Sequence, residues 1–193
     1  MTADAALLAA LAACASAFRN LGRPAMIIGG IAVIARGVPR QTSDIDATIW
    51  AEGLELDVIL PTIVAEGFVP RTADAITFAR ERHVLLLRHE PTGTPLELIL
   101  AYLPFERSAL ERADLVDFGG VSLPAATPED LIVYKAVAWR DRDRSDVERL
   151  LALHGRSIDL ERVRRLLREF AAALDEPDRV DQFEALVRRA LGA

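Results

Sequence analysis

The chain is 193 residues long, 51% hydrophobic, with 29 acidic against 23 basic side chains and a net charge of −6. That length gives one domain, or one domain with a helical appendage, and enough apolar residues for a sizeable core. Net acidity argues against a protein that coats nucleic acid, the lack of an 18-residue apolar run against a membrane-spanning helix, and the single cysteine, Cys14, against an internal disulfide and for a reducing cytoplasm.

In chain order, residues 4–21 read as a helix with Leu7, Leu8, Leu11, Ala15 and Phe18 on one stripe. No basic segment precedes it, so it does not read as a signal peptide. Cys14 lies on this helix and reads as inert packing. Ala25–Ile28 reads as a buried strand, Gly29-Gly30 as a turn, and about 31–36 as a helix closed by Gly37. Residues 44–50 read as a strand with Asp44, Asp46, Thr48 and Trp50 on one face and Ile45, Ala47 and Ile49 on the other. A helix over 56–66 ends at Gly67, and 68–69 and 76–79 are expected to be short strands. A hairpin follows, 84–88 and 96–101, joined by Glu90-Pro91-Thr92-Gly93-Thr94. Then come a short helix at 104–112 and two short extended pieces flanking Gly119-Gly120. From Thr127-Pro128-Glu129-Asp130, a strong helix start, the pattern is helical: 128–139, 143–154, 159–174 and 178–191. The expected division is a mixed core, 1–126, and a helical region, 127–193. The fold class is α+β, a small mixed sheet with helices at both ends.

Charge is uneven along the chain. Residues 140–168 hold nine arginines against six acids, either a basic face or a solvated helix face. There are 22 arginines and one lysine, Lys135. A position that stays Lys suits a compact ammonium better than a planar fork.

The densest chemistry is Gly29-Gly30, thirteen residues, then Asp44-Ile45-Asp46. On a strand, i and i+2 put both carboxylates on one face, roughly 6.5–7 Å apart along the chain. Two such acids suit hard divalent cations, and a Gly-Gly lets backbone N–H groups approach a phosphate. Glu97, between Leu96 and Leu98, is either a solvent-facing edge residue or a third ligand. Asp143 and Asp146, at i and i+3, either serve an acceptor site or pair with Arg140, Arg142 and Arg149. His83, His89 and His154 show no metal-ligand spacing. His154 sits where a helix dipole explains it.

These residues resemble the DNA polymerase β-type nucleotidyltransferase superfamily. The Arg40-x-Thr42-x-Asp44-Ile45-Asp46 form is similar to its minimal bacterial branch of abortive-infection and toxin-type enzymes. The resemblance continues in Thr127-Pro128-Glu129-Asp130-Leu131-Ile132-x-x-Lys135 and Arg140-x-x-Asp143-x-x-Asp146-Val147, so it spans about residues 26–150. It implies transfer of an NMP from an NTP to an acceptor hydroxyl. Gly29 and Gly30, with Arg40, Thr42 and Ser43, would bind the nucleotide. Asp44, Asp46 and Glu97 would hold two Mg²⁺ ions, with Mn²⁺ as a substitute, and Glu97 would be the general base. Lys135 would neutralise the leaving pyrophosphate. On that reading Lys135→Ala would cost less than about 1 kcal/mol of stability, as at a surface site. The third carboxylate is more often Asp, so Glu97 departs by one methylene. The resemblance leaves the acceptor open among a small molecule, a protein hydroxyl and an RNA 3′ end, and allows a toxin–antitoxin partner. Two rivals remain: a non-catalytic binding module of the same fold, and a haloacid dehalogenase-like phosphatase. The phosphatase would need an apolar strand leading into Asp44, where Arg40-Gln41-Thr42-Ser43 stands instead.

Overall fold

A computed structural model of the protein describes residues 3–192. The chain divides into two compact units, Met1–Ile31 with Gln41–Ala126, and Ala32–Arg40 with Thr127–Ala193. The segment 32–40, expected in the mixed core, therefore clusters with the helical part.

The first unit holds a seven-stranded mixed sheet. Its strands are β1 (Ala25–Ile28), β2 (Ile45–Trp50), β3 (Phe68–Pro70), β4 (Val84–His89), β5 (Pro95–Ala101), β6 (Asp114–Asp117) and β7 (Ser122–Ala125), in spatial order β3-β4-β5-β2-β1-β7-β6. β2 runs parallel to β5 and antiparallel to β1, and β4 pairs antiparallel with β5 and β3. One face is fully apolar: Ile45, Ala47, Ile49, Leu85, Leu87, Leu96 and Leu98 are buried. The alternate positions are more open: Asp46, Val84, Leu86 and Ile99 are half-buried, Arg88 and Glu97 exposed. Period-two alternation thus gives β4 and most of β5 one sealed and one more accessible face, whereas β1 is buried throughout and Thr48 of β2 is buried on the Asp46 face.

The helices of this unit are α1 (Ala3–Leu21), the start of α2 (Gly29–Ala35), α3 (Leu56–Ala65), α4 (Ala75–Arg82) and α5 (Pro104–Arg112). By length and composition alone α1 is long and apolar enough to cross a membrane, a test that core helices also pass. Its residues Ala10, Leu11, Cys14, Ala17 and Phe18 are buried, as in a core helix. Burial pushes the Cys14 thiol pKa far up, which keeps it an unreactive thiol. The expected strand at 76–79 is instead part of α4. Asp74 accepts a hydrogen bond from the Thr77 N–H (3.0 Å) and caps the helix, while Arg80 and Arg82 sit in its last turn before left-handed His83. A local cap outweighs the β-propensity of Ile76, Thr77 and Phe78.

The second unit contains the end of α2 and the helices α6 (Pro128–Ala138), α7 (Asp141–His154), α8 (Leu160–Leu174) and α9 (Arg179–Leu191). Thr127 caps α6 by accepting from the Asp130 N–H (3.3 Å), and Pro128 opens the helix. Leu131, Val133, Val147, Leu150, Leu167 and Phe183 are fully buried in this unit. Arg164 binds Glu184 through two hydrogen bonds, 2.7 and 3.1 Å, joining α8 to α9. Asp130 is also fully buried and pairs with Arg162 at 2.9 Å.

Candidate active site

In the first unit the site begins where β1 ends. Gly29 has φ +62°, a conformation that glycine adopts without strain. A Cβ built on Gly29 would lie 1.8 Å from an Asp46 carboxylate oxygen. The space that a side chain would fill is occupied by the carboxylate itself. The next amide, Gly30 N–H, donates to the same oxygen at 3.4 Å. α2 thus starts at Gly29, two residues earlier than expected, with its first turn against Asp46.

Asp44 lies one residue outside β2, and its carboxylate accepts a 2.6 Å hydrogen bond from the Thr42 hydroxyl. Ser43 is exposed, and with Thr42 it lines a shallow pocket against the Thr92-Gly93-Thr94 turn. β2 begins at Ile45, so no strand leads into Asp44, which removes the support for the phosphatase reading.

β5 lies beside β2 with Asp46 directly opposite Glu97. Paired residues in a parallel ladder share a face, so these two acids sit side by side. β5 is interior to the sheet, so Glu97 is not an edge-strand residue. Its side chain nevertheless remains 48% exposed and meets Arg71 at 3.9 Å. Among the described residues no group of three or more His, Cys, Asp or Glu side chains is arranged to hold a metal. The expectation that all three carboxylates converge is corrected to this extent: the backbone aligns Glu97 with Asp46, but the Glu97 side chain lies beside a guanidinium. Arg71 gave no signal in the sequence because no motif or spacing ties it to Glu97. Thr48, two residues along β2 on the Asp46 face, is fully buried and its hydroxyl has no hydrogen-bond partner.

In the second unit Lys135 is buried, 6% exposed, and its ammonium meets Asp143 and Asp146 at 3.0 Å each. Asp143, fully buried, also accepts from Arg140 Nε at 2.6 Å, and Asp146 pairs with Arg40 at 2.7 Å. The five side chains form one chain of alternating charge: Arg40, Asp146, Lys135, Asp143, Arg140. Burial alone would push the Asp143 pKa up, but hydrogen bonds from Arg140 and Lys135, with their charges, hold it below the ordinary value. The expected partners Arg142 and Arg149 do not take part. Arg149 instead donates to the Pro39 carbonyl (3.0 Å), and His154 contacts the Arg36 carbonyl (2.8 Å). The slender Lys135 ammonium fits between the two carboxylates, where a planar guanidinium would need more room.

The donor chemistry at Asp44 and Asp46 fits a hard cation. Mg²⁺ binds through one or two carboxylates, completing its shell with water and substrate phosphates, and needs no all-protein cage.

No protein-family model matches the chain, and no curated protein matches it in sequence. Solved structures do match in fold. The antibiotic-resistance factor ANT(2'')-Ia in solution superposes with TM-score 0.56 at 20% identity, covering 88% of this chain and 95% of that one. The same factor in complex with adenylyl-2''-tobramycin gives 0.54 at 20% identity, covering 84% and 95%. An antigenic nucleotidyltransferase-like protein from Paracoccidioides brasiliensis gives 0.52 at 14% identity, covering 90% and 92%. This chain has the fold of the nucleotidyltransferases, a mixed sheet with helices at both ends.

Proposed function

We propose that the chain is a metal-dependent nucleotidyltransferase that moves an NMP from an NTP to an acceptor hydroxyl. The observation that carries this is the contact between Gly29 and Asp46. A left-handed glycine is kept where any side chain would collide with a carboxylate, and that carboxylate shares a sheet row with Glu97. Asp44 and Asp46 would hold Mg²⁺, with Mn²⁺ as a substitute, and Thr42 fixes the Asp44 carboxyl. Bound there, the metal supplies charge stabilisation for the transferred phosphoryl group. The amides following Gly29 would approach the nucleotide phosphates, and the exposed Ser43 would also bind the nucleotide. Glu97 takes the acceptor's hydroxyl proton. In the second unit Lys135 and Arg40 are paired with Asp143 and Asp146.

The test is NTP binding by calorimetry, with and without Mg²⁺, followed by transfer of label from each α-labelled NTP into a cell extract. Asp44→Asn with Asp46→Asn is expected to abolish Mg²⁺-dependent transfer while the fold, followed by circular dichroism, is kept. Transfer by the double variant at the wild-type rate would defeat the proposal.

The Arg71–Glu97 contact favours one second reading, a nucleotidyltransferase-fold module that binds a partner without turnover. Binding of NTP with no labelled product, in every extract and with every NTP, is the outcome expected of that module.

A further inference from the structure

The first unit holds a second cavity, at the start of β1. α1 meets the β6–β7 hairpin at its turn, where the Leu8 side chain lies 3.2 Å from the place of a Cβ on Gly119. About two helical turns later α1 carries Ala15. Ala25 at the start of β1 and Ala113 at the end of α5 line the same space. Three methyl groups do not fill it. A cavity of about 410 Å³ remains, within the range of sites that hold small organic ligands, about 300–1,000 Å³. Phe18, Leu110 and Leu123 supply buried apolar walls. Leu115 lines the cavity from the edge strand β6 and is 73% exposed. A leucine so open beside a cavity is apolar surface that a ligand can cover.

The polar lining carries one sign of charge. Arg19, Arg23 and Ser122 contribute to it, and among the described residues no Asp or Glu does. Arg19 is exposed, and its side chain has no ion pair with any described residue. Arg23 is half-buried, and its guanidinium makes one long hydrogen bond, 3.4 Å, to the Gly53 carbonyl. Arg19 stands in the last turn of α1, where the helix dipole favours a cation. Arg23 lies outside the helix, so the dipole explains neither the second guanidinium nor the cavity that both line. β1 runs from Ala25, at this cavity, to Ile28, next to Gly29 of the candidate active site. Four residues of strand span about 13 Å, so the two places lie at opposite ends of one strand.

Charge and lining select the ligand. A cation would meet two guanidinium groups with no acid to receive it. A neutral apolar molecule would use the walls and leave both arginines without a partner. A carboxylate carries one charge on two oxygens, which a guanidinium fork matches with two parallel hydrogen bonds. It is less costly to bring against an apolar wall than a doubly charged phosphate. We propose that this cavity binds a small carboxylic acid with an apolar body, its carboxylate on Arg19 and Arg23 and its body against Leu110, Leu115 and Leu123. The site is separate from the nucleotide site and does not depend on the transferase reading.

The test is calorimetric titration of the full chain with decanoate, kept below its micelle concentration, beside decanol, decyltrimethylammonium and decyl phosphate. Decanoate is expected to bind saturably, about tenfold or more tighter than decanol or the ammonium, and tighter than the phosphate. ATP with Mg²⁺ is expected not to displace it. Arg19→Glu with Arg23→Glu should lower decanoate affinity about tenfold or more and leave decanol affinity nearly unchanged. Arg19→Glu alone changes an exposed side chain and serves if the double variant does not fold, with an expected loss of about threefold or more. Leu115→Ser should weaken decanoate and decanol together. Equal binding of decanoate and decanol, tighter binding of decyl phosphate, displacement by ATP, or charge reversal without effect would each overturn the proposal. So would an absence of saturable decanoate binding, including the case in which the chain is retained on anionic phospholipid vesicles, because the arginines and Leu115 would then face a membrane surface.

Discussion

A methyl group on Gly29 would have nowhere to go. Its ideal position overlaps Asp46, and φ +62° is unfavourable for any L side chain by about 1 kcal/mol or more. Only two adjustments are open to Gly29→Ala. The backbone can flip to negative φ, which moves the Gly30 N–H off Asp46, or the Asp46 carboxylate can swing away. Either separates the carboxylate from the glycine turn. Gly29→Ala is therefore expected to weaken Mg²⁺-dependent NTP binding about tenfold or more, while costing only about 1–3 kcal/mol of stability. Calorimetric titration beside a urea melt measures both. Wild-type NTP affinity in this variant would show that the contact between turn and carboxylate does not matter to the nucleotide. Glu97 makes the complementary point. Its identity was visible in the sequence, and its neighbour was not, because Arg71 approaches it through β3 and β4 and not along the chain.

At the scale of elements, legibility followed locality. The β2 alternation, the 84–101 hairpin and the Thr127-Pro128 helix start are written in adjacent residues, and the structure has all three. α4 was misread because Ile76-Thr77-Phe78 favours a strand, whereas Asp74 supplies a cap that only the folded backbone reveals. The side-by-side placement of Asp46 and Glu97 depends on strand pairing over 51 positions, which no local pattern specifies. The same holds for Lys135. Its helix was legible, but its burial was not. A lysine four residues after Leu131 looks like a surface cation until α7 brings Asp143 and Asp146 to it. This reverses the stability expectation. Removing one member of a buried ion network leaves the others uncompensated, at a cost of about 3–5 kcal/mol. Lys135→Ala should lose stability on that scale, read from the urea midpoint, because it strands two buried aspartates with one arginine each. Loss of less than about 1 kcal/mol would mean that water reaches these carboxylates freely.

At the scale of the whole molecule, pH adds these local effects. His89 is buried, its ring beside Phe68 at 5.0 Å and its Nδ1 2.8 Å from the Thr92 hydroxyl. Burial lowers its pKa below the ordinary 6.5, so the folded protein resists protonating it while the unfolded chain does not. The unfolded state then binds more protons as pH falls below about 6.5, and stability declines from there until the folded His89 itself protonates. A second decline has a different origin. Asp143 is lowered by the network described above, Glu184 by Arg164 and Asp74 by the Thr77 amide. Depressed carboxylates stabilise the fold above the unfolded values, about 3.9 for Asp and 4.3 for Glu, and that stability is lost as pH falls through their folded pKa values. Urea midpoints measured from pH 8 to 3 should therefore fall in two steps, one beginning near 6.5 and one below about 4.3. His89→Gln keeps a hydrogen-bonding group without a titrating one, so it should remove the upper step and leave the lower. A wild-type midpoint that stays flat between pH 7 and 5 would show that His89 protonates in the fold as readily as in water. That would mean the hairpin turn beside it opens to solvent and does not seal the end of the sheet.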